Sequence, residues 1–586
     1  MIALRRFLQG AGLAALPLLT LCVFTPLLIY SGNASEFTAS FAQIELAYLP
    51  YFTLLVLAAG LLAALLNAGG FQRMQALTGA VACLLWLQAN ILVWDYGALD
   101  GRSIEWTAGA WRGALDSVIW AGVIIVSILA FKRTGPLFVR AAIVVFVIQL
   151  TAAAVGMAGS DGASLRHSDI EENQASREAL LRFSTSKNVV HIIMDGLQTD
   201  LFEQLVETPL DKGEDVREQL QGFTLFRNNL GMFPYTQLTV PAMLSGAVYQ
   251  NHMPVLDFVD ETLAGNTILN AATDAGFDVD IAAKVALRNV YAKNQHANAL
   301  GISNSAHVSA RDYIVNDSAR LIDLSLFRAL PHFAKALIHR DELWVFQGMV
   351  RSASYLHMQY FADLAFVQNL SQEMRVDRAA PVYKIMHLMF AHRPTVGDEN
   401  CQFDYVRPTG RENVLQQAGC GLQAVLDVFS RMKELRIYDD SLIILMADHG
   451  AWVRLKGFDP QNKSDVINSK SAAMAVPLLA IKRSNDTGAY RVSDAPTSIA
   501  DLPATIAAAL GLKARFPGVD AFTLPENGSR DRRHYKYFYG DNRKVPGYLN
   551  KMHEVIVNGS VFDHEAWRNG RKYPPQPQVA DDLAAR

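Results

Sequence analysis

Five apolar stretches crowd the first 158 residues, at 9–31, 47–67, 75–94, 117–131 and 136–157, with short polar connections between them. Each approaches the ~20 residues that carry an α-helix across the hydrocarbon of a bilayer, a medium in which the backbone must satisfy its own hydrogen bonds. The sequence therefore predicts a five-helix transmembrane bundle over 1–158. The first stretch is too long, and too soon followed by a second, to read as a cleaved signal peptide. Arg5, Arg6, Arg73, Lys132, Arg133 and Arg140 all fall on one side of such a bundle, which makes that side cytoplasmic. The connections 32–46 and 95–116 hold Arg102 and Arg112 among Glu36, Glu45, Asp95, Asp100, Glu105 and Asp116, and read as periplasmic. Five crossings from a cytoplasmic N-terminus put everything after residue 158 outside. The expected location is a bacterial inner membrane.

A hydrophobic content of 51% with only 19% charged residues agrees with a chain partly in lipid. The net charge of −3 leaves no basic excess to neutralise a nucleic-acid backbone, so no nucleic-acid partner is expected. Cys22 and Cys83 lie in apolar runs, whereas Cys401 and Cys420 lie in polar sequence assigned to an oxidising compartment. The second pair reads as a disulfide, with two unpaired thiols as the other reading.

Residues 159–187 lack sustained apolar content and read as a linker, with a helix expected over 170–183. Beyond it, Asn188–Met194 is a short, largely β-branched run that ends in Asp195-Gly196, and Ser441–Ala447 is a similar run that ends in Asp448-His449-Gly450. Runs of this kind are the signature of buried parallel strands, and open α/β sheets place their sites beyond the carboxyl ends of such strands. Aspartate and histidine are donors suited to zinc or manganese. A third element, from Tyr235-Thr236 to Ser245-Gly246, opens a helix. A hydroxyl at a helix start lies in the positive end of the dipole and, next to a metal, would make a nucleophile; a plain N-cap is the other role of threonine there.

In this order, strand-Asp-Gly, the Thr236-x-x-x-Val240-Pro241-x-Met243-x-Ser245 stretch and strand-Asp-His-Gly resemble the alkaline phosphatase/sulfatase superfamily. Its membrane-anchored branch is the nearest likeness, with the lipid A phosphoethanolamine transferases, lipoteichoic acid synthases and phosphoglycerol transferases. The resemblance implies an α/β sulfatase-like periplasmic domain over 188–530, following the helical anchor. It implies Thr236 as nucleophile and metal ligand, with Asp195, Asp448 and His449 completing the site of one divalent ion, zinc foremost and manganese second. Met386–Pro394 is similar to the family's His-x-x-x-x-His-x-Pro segment, which makes His392 the phosphate-contacting or leaving-group histidine and places His387 against substrate. Val476–Lys482, Ala495–Thr505 and Leu510–Leu512 resemble the family's closing strand and helix pieces.

The chain departs from that branch in three places. Position 195 is Asp where glutamate is common, and no cysteine pair brackets the nucleophile. No histidine follows Asp-His-Gly until His534, so that Arg454 or Lys456 is expected to take the missing role. The stretch expected at the arylsulfatase Cys/Ser-x-Pro-x-Arg motif reads Thr-Gln-Leu-Thr-Val, which disfavours sulfate-ester hydrolysis of that kind. The resemblance implies transfer of phosphoethanolamine or phosphoglycerol from a phospholipid of the inner membrane to a periplasmic glycan or lipopolysaccharide, by a monomer. A phosphate-ester hydrolase using the same residues, or a catalytically silent membrane regulator, are the alternatives. Residues 531–571 read as an aromatic-rich strand or hairpin packed on the catalytic domain, and 572–586 as a disordered tail.

Overall fold

The computed structural model describes residues 2–96, 106–159, 170–208, 215–291, 297–302, 310–340, 344–350, 359–458, 467–537 and 547–576, with Ile104 and Leu165. The chain divides into two compact units, 1–174 with 304–358, and 175–303 with 359–586.

In the first unit the predicted helices form, each longer than its apolar core: 2–32, Phe41–Leu65, Ala68–Asn90, Ala110–Leu129 and Phe131–Gly159. Among the described residues, four of them are long and apolar enough to cross a membrane: Ile2–Gly32, Phe41–Leu65, Ala110–Leu129 and Phe131–Gly156. Ala68–Asn90, the third of the five predicted spans, is long enough but carries Gln72, Arg73, Gln75, Gln88 and Asn90. It is also the helix with the longest roll of buried side chains in the group, from Phe71 to Ala89. A helix surrounded by other helices can keep polar groups that find partners there. Gln88 does so, donating to Asp116 Oδ2 at 3.2 Å while its Oε1 accepts from Trp120 Nε1 at 3.1 Å. The basic residues collect at one end of the bundle: Arg6 donates to the Leu66 carbonyl at 2.6 Å, and the Arg73 guanidinium lies 4.9 Å over the Phe131 ring.

The sequence reading put 188–530 in one uninterrupted domain, but 304–358 belongs with the N-terminal helices. Asp317, on the helix Ala310–Ala329, is buried and accepts from the backbone amides of Thr38 and Ala39, both at 2.8 Å. The linker reading also needs correction. Its second half forms the helix Ile170–Leu181 and the strand Arg182–Ser184, which pairs with Arg375–Arg378, and Leu180, Leu181 and Phe183 are buried.

The second unit is built on an eight-stranded sheet. In chain order its strands are β1 (Asn188–Met194), β2 (Phe223–Phe226), β3 (Asp278–Lys284), β4 (Ala297–Ile302), β5 (Val382–Leu388), β6 (Leu442–Met446), β7 (Leu479–Lys482) and β8 (Arg491–Ser493). Across the sheet they run β8-β2-β7-β6-β1-β5-β3-β4. The block β6-β1-β5-β3-β4 is parallel throughout, and β7 alone runs against its neighbours. Every residue of β1, β5 and β6 is buried, as expected of central strands covered on both faces. These three strands deliver the polar residues discussed below at one edge.

The C-terminal segment is a three-stranded antiparallel sheet, Arg532–Lys536, Met552–Val557 and Trp567–Tyr573. Tyr535, Tyr537 and Met552 enter the main core of the unit; Phe538 and Tyr539 of the same aromatic-rich segment lie outside the described residues. Residues 572–576 are not tail. Tyr573 closes the last strand and the Gln576 amide donates to the Asn251 carbonyl at 3.0 Å, while 577–586 lies outside the described residues.

Cys401 and Cys420 are bonded, 19 positions apart, which joins the 401 loop to the helix Arg411–Glu434. A cross-link of that loop length removes unfolded-state entropy worth about 3 kcal/mol. Replacing both cysteines by alanine is therefore expected to lower the unfolding midpoint of the second unit. Thiol counting on the denatured, unreduced protein should find Cys22 and Cys83 reactive and this pair silent; four reactive thiols would contradict the bond.

Candidate functional site

Asp195 follows the last residue of β1, and Gly196 after it adopts φ +80°, a conformation open to glycine, with an added Cβ 3.2 Å from the Ala391 carbonyl oxygen. Asp448 and His449 lie just beyond β6, and Gly450 is demanded by packing, since a Cβ there would meet the Ala473 carbonyl oxygen at 2.0 Å. The two Asp-rich turns are thus brought side by side by the β1/β6 pairing. Thr236 is the first residue of the helix Thr236–Ser245, with Tyr235 as the N-cap. Its hydroxyl does not cap the helix. Instead Oγ1 donates to Asp448 Oδ2 at 2.6 Å and lies 3.4 Å from His449 Nε2. His449 Nε2 is in turn 3.6 Å from Asp195 Oδ1 and 3.5 Å from Asp448 Oδ2. All four residues named from the sequence as metal ligands therefore converge.

A fifth joins them. His387 Nε2 lies 3.2 Å from Asp195 Oδ2 and 3.9 Å from Asp448 Oδ2, and Asp195, His387 and Asp448 each present a ligand atom within 4.8 Å of the others, all three buried. The sequence reading put His387 against substrate. The register shows what brings it to the cluster: Ile193 of β1 is opposite His387 of β5, so side-chain alternation puts His387 and Asp195 on one face. The imidazole Nδ1 faces the buried hydroxyl of Tyr291 at 2.8 Å, a partner no motif announced, since Tyr291 ends the short helix Val285–Tyr291 after β3.

Burial works to raise the Asp195 pKa, but His392, His387 and His449 outweigh it and hold the carboxyl below its ordinary range. Burial works to lower His387 and His449, and the Asp195 and Asp448 carboxylates override it and raise both. At neutral pH the Asp195 carboxyl is accordingly ionised. Asp195 Oδ1 and Asp448 Oδ1 are nevertheless buried without a hydrogen-bond partner. Buried carboxylate oxygens without donors are costly, and a divalent cation is the group this donor set fits.

His392 is half-buried, its ring centroid 6.5 Å from that of His449 and its Nδ1 2.5 Å from the Arg393 carbonyl oxygen. Burial lowers its pKa. Arg454 and Lys456 are not drawn into the cluster. Both are exposed, and their hydrogen bonds run through the backbone, from Arg411 to the Arg454 carbonyl and from the Lys456 amide to Asp200 Oδ2.

His534, the next histidine in the sequence, lies behind the loop that leads to Thr236. It is fully buried, with Nδ1 2.8 Å from the Gly231 carbonyl oxygen, and burial pushes its imidazole down to about 4. Because the unfolded histidine titrates near ~6.5, the unfolded state binds more protons below that pH, and stability is lost as pH falls from there towards 4. The contribution is on the order of 2 kcal/mol between pH 6.5 and 5. His534→Asn, which keeps a donor for Gly231, should flatten the fall of the melting midpoint with acid; an unchanged slope would refute the assignment.

Residues 187–512, more than half of the chain, match the family described as Sulfatase. The chain belongs to the sulfatase family. Solved structures similar to this sulfatase-family chain include the C-terminal periplasmic domain of EptC from Escherichia coli in complex with Zn, 14% identical over 66% of this chain and 92% of that one, with a TM-score of 0.35. A phosphonate monoester hydrolase from Silicibacter pomeroyi is 14% identical over 68% and 92%, with a TM-score of 0.39. The lipoteichoic acid synthase LtaP from Listeria monocytogenes is 9% identical over 68% and 92%, with a TM-score of 0.34. The family assignment rests on the 187–512 match and not on these likenesses. No curated protein matches the chain.

Proposed function

We propose that this chain is a metal-dependent transferase of the inner membrane that moves phosphoethanolamine or phosphoglycerol from a phospholipid, through a phospho-threonine at Thr236, to a periplasmic glycan or lipopolysaccharide. The observation that carries the reading is the Thr236 hydroxyl. It is a helix-start oxygen that donates at 2.6 Å to Asp448, within a buried set of carboxylates and imidazoles.

In the first half-reaction Thr236 Oγ attacks the phosphorus as its proton passes to Asp448 Oδ2, the bond from phosphorus to the diacylglycerol oxygen breaks, and His392 supplies the proton that oxygen takes up. In the second, an acceptor hydroxyl attacks the same phosphorus, its proton passes to His392, the bond from phosphorus to Oγ breaks, and Thr236 takes its proton back from Asp448. Asp448 receives the threonine proton's hydrogen bond, and the helix amides at Thr236–Ser245 favour the phosphoryl anion. Asp195, Asp448, His387, His449 and Thr236 would hold the cation, with zinc as the proposed ion. Such a cation supplies Lewis-acid stabilisation of charge on the threonine and phosphoryl oxygens.

The apolar helices give the reading its donor. A phospholipid is confined to the bilayer, so anchoring the enzyme there raises its effective concentration. The proposed topology has the basic helix ends, with Arg6 and Arg73, in the cytoplasm and the sulfatase-like unit in the periplasm.

Mass spectrometry of the Thr236 peptide, from full-length protein incubated with phosphatidylethanolamine or phosphatidylglycerol vesicles, tests the proposal. The expected result is an adduct of the headgroup mass on Thr236, discharged by an acceptor glycan. Discharge by water alone, at the same rate with and without acceptor, would make the protein a hydrolase.

A further inference from the structure

The segment between β4 and β5 holds two helices that are inside out for a water-soluble surface. On His332–His339, Lys335 and His339 are buried while Phe333 and Leu337 are 58% and 69% exposed. On Val345–Met349, Gln347 is buried while Phe346 and Met349 are 39% and 74% exposed, and Val350 beside them is 44% exposed. Helices in water turn the apolar stripe inward.

We propose that these two helices are a membrane-interfacial element, whose Phe333, Leu337, Phe346, Met349 and Val350 lie in the headgroup and upper acyl layer of the bilayer. Their attachment places them at that level. The His332 amide donates to Asp116 Oδ2 at 2.9 Å, Tyr96 Oη meets His332 Nδ1 at 2.7 Å, and a Cβ on Gly113 would lie 2.8 Å from the His332 ring. Asp116 and Gly113 belong to the first turns of the candidate span Ala110–Leu129. Arg328 donates to the Ala89 carbonyl at 2.8 Å, and Asp323 accepts the Phe346 and Gln347 amides at 2.9 Å each. Of these anchors, Ala89, Gly113 and Asp116 lie at helix ends opposite to Arg6 and Arg73.

The apolar face continues down the span, where Trp111, Leu115 and Val118 are 62%, 41% and 71% exposed. Trp111 and the paired Tyr96 and Trp106 rings are the residue types that settle at a membrane–water boundary, and exposed Arg340 suits lipid phosphates. Five apolar side chains fall short of the ~20–30 residues a side that a specific protein interface employs. Lipid, which needs no matching shape, is the occupant the face fits.

The test uses the full chain with Cys22→Ala and Cys83→Ala, carrying Leu337→Cys or Met349→Cys labelled with an environment-sensitive fluorophore, in phosphatidylethanolamine/phosphatidylglycerol vesicles. Val118→Cys and Glu261→Cys serve as lipid and water references. Both interfacial labels should be quenched several-fold more by a nitroxide attached high on the acyl chain than by aqueous iodide, as at Val118, with the order reversed at Glu261. Quenching by iodide at the Glu261 level overturns the proposal. So does protection from both quenchers, with Leu337→Cys disulfide dimers then assigning the face to a second copy. A Val118 label open to iodide would overturn the membrane-span reading and this proposal together.

Discussion

Thr236→Ala is expected to abolish headgroup transfer, a loss of several orders of magnitude in kcat, while the melting midpoint stays near that of the unaltered protein. The side chain is only partly buried, and its bond to Asp448 holds together the site rather than the core. Thr236→Ser should retain measurable activity, because the chemistry needs the hydroxyl oxygen and not the methyl group. Thr239 is the control. Three residues along the same helix, it is fully buried and its hydroxyl donates to the Phe233 and Tyr235 carbonyls at 3.2 and 3.0 Å. Thr239→Ala should therefore cost about 1 kcal/mol of stability and leave the intermediate intact. An active Thr236→Ala beside a dead Thr239→Ala would shift the nucleophile by one helical turn.

Asp448→Ala is expected to release the divalent ion and to eliminate transfer with it. The substitution removes one of the three buried ligand groups that lie within 4.8 Å of each other, and it removes the acceptor of the Thr236 hydroxyl. It also takes away a carboxylate that raises His387 and His449, so both imidazoles become easier to deprotonate. Elemental analysis of the purified full chain should show zinc in the unaltered protein and its loss in the variant. Equal metal content in the two would sink the ligand assignment, provided circular dichroism shows both to be folded.

The parts of this architecture legible in the sequence are those where a local pattern and the tertiary environment demand the same residues. Asn188–Met194 is buried along its whole length as the strand β1, so its mostly aliphatic run is both the cause of the strand and its signature. The same holds for β6. His387 was less transparent. Its neighbourhood is set by β1 pairing with β5, Asn188 opposite Val382 and Ile193 opposite His387, and no local signal reports a register across so much intervening chain. Tyr291 was invisible for the same reason. Arg454 and Lys456, suggested by a gap in a family pattern and by proximity in sequence alone, are exposed and lie outside the buried cluster. The allegiance of 304–358 was hidden because the polar residues of Ala310–Ala329 resemble those of any soluble helix. Tertiary partners reveal where it belongs, among them those of Asp317 and Arg328 on Thr38, Ala39 and Ala89.

That interruption bears on how the protein is made. The ribosome releases β1 to β4, then 310–350, and only afterwards β5 and β6, the two strands that flank β1 in the finished sheet. Pairings this distant in sequence carry a large loop-closure penalty and form slowly. Until they form, the aliphatic edges of β1 lack their neighbours, in the condition that exposes unpaired strands to aggregation. Seating 310–329 on residues that have already emerged, such as Thr38 and Ala89, shortens the effective loop between β4 and β5 before β5 is synthesised. A fragment beginning at residue 188 would have to close the same loop without the partners that 310–329 finds on Thr38, Ala39 and Ala89.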